Sequence, residues 1–171
     1  LDDAEVADYL NLLGGQLAAN SSEPGLEFEF FAINDNAINA FAMPGGFIGI
    51  NTGLILTSQS ESELASVLSH EIAHVTQHHL ARMVSGQKYD SLAAMAIMAA
   101  AILAARSNPD AAMASVMGAQ AGAIQRQLNF TRVHEQEADR IGLDILKKSG
   151  FDVRATPVFF ERLQKATRLL E

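Results

Sequence analysis

The chain has 171 residues, enough for one sizeable core, and 49% of them are apolar with only 6% aromatic. A net charge of −8 leaves no basic stripe for nucleic acid, and the absence of cysteine excludes a disulfide framework and any thiolate metal ligand. Imidazole and carboxylate remain as the ligand set, and the compartment is compatible with export. The first residue is Leu1, not methionine, which is compatible with removal of a signal peptide or tag, and the chain is expected to be a fragment of a longer one, carrying a single domain over 1–171.

Val6, Leu10, Leu13 and Leu17 recur at helical spacing and predict an amphipathic helix over 2–20, closed by Asn20, Ser21, Ser22, Pro24 and Gly25. Leu26, Phe28 and Phe30 alternate with Glu27 and Glu29, the period-2 signature of a half-buried strand. Extended runs over 37–43 and 47–50 follow, separated by Pro44, Gly45 and Gly46. Three strands in one small sheet are expected, within an α+β chain that is otherwise mostly helical.

Ser60 and Glu63 form a capping box at the start of a helix expected to run to Met83 or Val84. That helix carries HEIAH, from His70 to His74. At about 100° per residue, His74 lies roughly 40° around the axis from His70 and about 6 Å further along it, so both imidazoles can reach one metal ion. Glu71 falls beside them, where a carboxylate can take a proton from a zinc-bound water. A chain of this length and composition would show HExxH by chance about one time in a hundred. His78 extends the stripe but lies about 12 Å from His70 along the axis, too far for the same ion.

Residues 91–105 are uncharged, bounded by Asp90 and Arg106, and are too few for a membrane span of about 20 residues. A buried or partly exposed helix is expected there, with Met95 and Met98 as core filler or an adaptable apolar surface. Asn108, Pro109 and Asp110 start another helix, which carries Gly118 and Gly122. Val133, Ala138, Ile141 and Ile145 mark a helical segment over 130–148 that ends at Gly150. A last helix contains Val158, Phe159, Leu163, Leu169 and Leu170. Within HEQEADRIG, Glu135 and Asp139 share one helix face, whereas Glu137 points away from it and His134 to another.

The stretches NAFAMPGG, LASVLSHEIAH and EQEADRIG, in that order, resemble the gluzincin metallopeptidases that include HtpX, the CAAX prenyl proteases and the Oma-type peptidases. They look nearest to the soluble periplasmic BepA (YfgC) branch. The resemblance covers roughly 37–161 and implies a zincin-like domain whose small sheet packs on the HExxH helix. It implies one zinc ion held by His70, His74 and Glu135, with Asp139 orienting a ligand histidine and Glu71 as general base. It also makes the strand of Phe47, Ile48, Gly49 and Ile50 an edge beside the cleft, to which an extended substrate adds by backbone hydrogen bonds. The implied activity is endopeptidase cleavage of unfolded or misassembled polypeptides in the periplasm, with membrane-proximal or outer-membrane assembly partners. A zinc-containing, chaperone-like peptide-binding module with a blocked site is the alternative, and a hydrolase of non-peptide substrates is also compatible with the motif. A histidine-proline segment that related enzymes carry beyond the matched region is not in this sequence.

Overall fold

The computed structural model describes residues 3–105 and 108–168. The expected helix start at Asp2, and Leu169 and Leu170 of the last helix, lie outside these. Contacts divide the chain into two compact units, Leu1–His78 with Gln136–Glu171, and His79–Glu135.

The first unit opens with α1 (Asp3–Ala18), whose Leu10, Leu13 and Leu17 are buried at the helical spacing read from the sequence. Strands β1 (Glu29–Ile33), β2 (Ala40–Met43) and β3 (Phe47–Asn51) form one sheet in the order β1-β3-β2, with β1 parallel and β2 antiparallel to β3. The strand holding Phe47, Ile48, Gly49 and Ile50 is therefore the central strand, not an edge. Its backbone groups are engaged on both sides, and Ile48 and Ile50 are wholly buried. The free edges belong to β1 and β2.

The β1 edge is partly occupied. Asn11 of α1 donates through its side-chain amide to the Phe30 carbonyl (2.7 Å), and its side-chain oxygen accepts from the Phe30 amide (3.0 Å). One side chain thus satisfies both backbone groups of Phe30, as a neighbouring strand would. Gly14 lets α1 approach here, because a Cβ at that position would stand 2.3 Å from the Phe30 ring.

A short helix α2 (Thr52–Thr57), absent from the sequence reading, leads into α3 (Glu61–Thr76). Ser60 caps α3 by accepting from the Glu63 amide (3.3 Å), and the Glu63 carboxylate accepts from the Gln59 amide (2.7 Å). Glu63 also pairs with Arg162 of α6 (Ala155–Arg168), tying the start of α3 to the last helix. Burial alone would raise the Glu63 pKa. The hydrogen bond from Arg162, the Gln59 and Ser60 amides and the guanidinium charge outweigh it and hold the carboxyl below its usual range.

Leu64, Ala65, Leu68 and Ile72 form the buried face of α3 and meet Leu10, Phe30, Ile48, Ile145 and Phe159 in one core. The helix stops at Thr76, earlier than its apolar period suggests. His78 sits at φ 52, a left-handed conformation that terminates helices, and its amide bonds the Val75 carbonyl.

The second unit is a helical hairpin. Helix α4 (His79–Ala104) leads out and α5 (Pro109–Lys148) begins the return, with the Asn108 side chain accepting from the Ala111 amide. The base is closed by ring stacking of His79 on His134, with centroids 4.3 Å apart. The two segments read separately in the sequence, before and after Phe130, are one helix of 40 residues.

Candidate metal centre

The two histidines lie on α3 and the carboxylate that orients one of them on the later part of α5, both in the first unit. His70 and His74 are half-buried on one face of α3, and their Nε2 atoms lie 3.0 Å apart. Two nitrogens on one tetrahedral zinc at about 2.0–2.1 Å are separated by roughly 3.3 Å, so the imidazoles converge as chelating ligands do. The other ring nitrogen of His70, Nδ1, is 3.0 Å from the Asp139 carboxylate. A proton on Nδ1 directed at that carboxylate leaves the Nε2 lone pair for a metal. Glu71 is half-buried on the same helix, one residue beyond His70.

Asp139 reaches His70 because α5 passes α3 at backbone distance. Gly142, one turn beyond Asp139, is buried, and a Cβ there would stand 3.0 Å from both the amide nitrogen and the Cα of His70. Any side chain would push the Asp139 turn away from the imidazole. The signal for this residue was available in the sequence as a glycine inside a strongly periodic helix, which marks either weakness or close approach. A cavity of about 790 Å³ is lined by His70 and Asp139 together with Ser66, Leu143, Pro157 and Phe160 among others.

Glu135 precedes Asp139 by one turn of the same unbroken helix. It is the last residue of the second unit and the third ligand that the resemblance implies. Two neutral imidazoles and one carboxylate are a donor set of the kind that a catalytic zinc with an open coordination position takes.

The remaining histidines fall elsewhere. His78 is exposed and lies 3.2 Å from Glu23, with no place in the metal group. His134 is buried 5% exposed against Phe130, at 3.8 Å between ring centroids, and against His79, so it presents no surface for substrate. His79 and His134 face each other within the second unit. The two imidazoles are stacked with only 11° between their planes, and in-plane lone pairs of parallel rings run side by side. That geometry suits packing better than chelation.

A family model describing peptidase family M48 matches residues 5–167. The chain belongs to peptidase family M48. Among curated M48 relatives, it is 47% identical over 163 residues to the putative beta-barrel assembly-enhancing protease of Vibrio cholerae serotype O1, covering 95% of this chain and 34% of that protein. It is 42% identical over 168 residues to the beta-barrel assembly-enhancing protease of Escherichia coli strain K12, covering 98% of this chain and 34% of that protein. The mitochondrial metalloendopeptidase OMA1 of Arabidopsis thaliana is 31% identical over 148 residues, 86% of this chain and 28% of the relative. The chain thus spans about one third of the length of these relatives. Membership of M48 makes this a peptidase-family domain, and among its described residues no helix is long and apolar enough to cross a membrane.

Proposed function

We propose that the chain is the catalytic domain of a zinc metalloendopeptidase that cleaves unfolded or misassembled polypeptides in the periplasm. The His79–Glu135 hairpin is then an insertion in that single domain. The observation that carries the reading is the 3.0 Å convergence of the His70 and His74 Nε2 atoms while Asp139 engages His70 from behind. His70, His74 and Glu135 would hold the ion. Bound zinc supplies Lewis acidity toward the scissile carbonyl and lowers the pKa of a coordinated water to about 7. Glu71 accepts the proton of the attacking water and delivers it to the leaving amine. Asp139 keeps the His70 tautomer that exposes Nε2.

The sheet supports a substrate strand on β2, replacing the expected site on Phe47 to Ile50. Strand β2 packs beside α3 and is the outer strand opposite β1. Phe30 of β1 already has its outward amide and carbonyl engaged by Asn11, which leaves β2 as the edge for strand addition. Recognition through backbone groups selects extended chains over folded ones, which is the chemical basis for unfolded substrates. The likeness to two proteases named for beta-barrel assembly supports outer-membrane assembly intermediates as the substrate class and the periplasm as the location.

The test is zinc content by elemental analysis together with casein hydrolysis, on the wild type, Glu135→Gln and Glu71→Gln. Expected are near-stoichiometric zinc in the wild type, a sharp loss in Glu135→Gln, and zinc retained in Glu71→Gln with cleavage reduced by about 10²–10⁴. A Glu71→Gln protein that cleaves casein at the wild-type rate would refute the assignment.

A further inference from the structure

The cavity of about 790 Å³ that borders His70 and Asp139 lies wholly within the first unit, lined by residues of α3, the later part of α5 and the start of α6. Neither Glu71 nor His74 lines it, so it is not the space in which the proposed water attacks. Leu143, Val153, Pro157 and Phe160 give it an apolar wall, and none of the four is buried. A concave apolar surface with a few charged groups at its rim is the usual form of a small-ligand site.

Besides His70, the charged side chains that border this space are Asp139, Asp144, Lys147 and Arg154, and two of them are already neutralised. Asp144 pairs with Lys148 at 2.6 Å, and Arg154 with Asp152 at 2.9 Å. The other two are not. Asp139 is 62% exposed and its partner is His70, which is neutral when it ligates a metal, so no cation among the described residues balances that carboxylate. Lys147 is exposed and makes no ion pair among the described residues. Asp139 and Lys147 are eight residues apart on one helix, about 12 Å along its axis and about 80° around it. An unbalanced carboxylate and an unbalanced ammonium, set apart beside an apolar wall, complement a ligand that carries a cation and an anion on an apolar body. Three extended residues span roughly 10 Å between their free amine and carboxylate. A fatty acid offers nothing to Asp139, and an alkylamine offers nothing to Lys147.

We propose that this cavity binds a short apolar peptide with free termini, about three residues long, with its ammonium on Asp139 and its carboxylate on Lys147. Such peptides are what an endopeptidase leaves behind. The bound ammonium competes with the Nδ1–H of His70 for one carboxylate, so peptide and zinc each weaken the binding of the other, and accumulating product restrains the metal centre. The antagonism rests on the zinc reading above, whereas the peptide site does not.

The probe is the tripeptide Leu-Ala-Leu, titrated calorimetrically into the metal-free full chain beside its N-acetyl and C-amide derivatives. Expected are saturable binding at one site and a loss of about tenfold or more on blocking either end. Lys147→Met should lose as much, and Lys147→Arg little. In Lys147→Met the C-amide should bind as well as the free acid, which separates a lost contact from a lost fold, with helix content checked by circular dichroism. In a chelator competition, saturating tripeptide should lower zinc affinity by about threefold or more. Absence of binding, equal binding of the blocked peptides, or unchanged binding by Lys147→Met would overturn the site. Unchanged zinc affinity in a chain that binds both would overturn the antagonism. A chain that binds the tripeptide but takes up no zinc would sink the metal assignment and leave the peptide site standing.

Discussion

The α3 helix and the α4 helix differ in what surrounds their apolar side chains. On α3, Leu64, Leu68 and Ile72 are buried against α1, the sheet and α6, and His70 and His74 are half-buried on another face. On α4, Leu92, Met95, Met98 and Leu103 have at least half their surface in water. A rigid backdrop is what a metal centre needs, since ligands must be held within a fraction of an ångström. A bare helix gives its side chains no such support. The comparison teaches that similar apolar content is packed into a rigid backing in one unit and left at the surface in the other.

Removing core volume should separate the two units most. Leu68→Ala, at a wholly buried position, is expected to cost about 2–5 kcal/mol in urea unfolding, whereas Met95→Ala should fall within about 0.5 kcal/mol of wild type. Equal losses would erase the distinction. Asp139→Asn should weaken zinc affinity by about 10–100-fold in a chelator competition while leaving the urea midpoint near wild type.

The glycines sharpen the contrast because the same substitution should change sign. Gly142→Ala drives a methyl against the His70 backbone and is expected to destabilise by about 1–3 kcal/mol. Gly118→Ala meets nothing within 4 Å in the hairpin and should stabilise by about 0.5–1 kcal/mol. Thermal melts of the pair check both signs.

The smallest expected effect is a pH slope. Because the Glu63 carboxyl is held low in the folded chain, its contribution is fully present above the unfolded carboxylate range, about 4.3. It is lost as pH falls through the lowered folded value. Glu63→Gln should flatten the acid limb of stability against pH, and an unchanged limb would mean that the Arg162 pair carries no linkage.

The metal-facing pair and the three strands were legible because each rests on a short period, four residues for His70 and His74 and two for Phe28 and Phe30. The strand order was not. A third strand placed between the first two is a matter of crossover, and no local alternation in Phe47 to Ile50 distinguishes a centre from an edge. The end of α3 was hidden for a related reason: apolar spacing continues through Leu80, while the left-handed turn falls on a histidine, not a glycine. His79 and His134 are 55 residues apart, beyond any pattern a single helix can show. Gly142 was visible as a residue and silent as a contact until α3 lay against it.

Asn11 has a consequence for the chain's own solubility. A sheet that receives extended polypeptides on one side is a template for cross-β stacking if both sides are open, since each added strand offers the next one a fresh ladder. By pairing with Phe30, a single amide side chain turns a two-ended nucleus into a one-ended one. On the proposed reading, growth is then confined to the β2 edge beside α3, where an arriving strand would be cut.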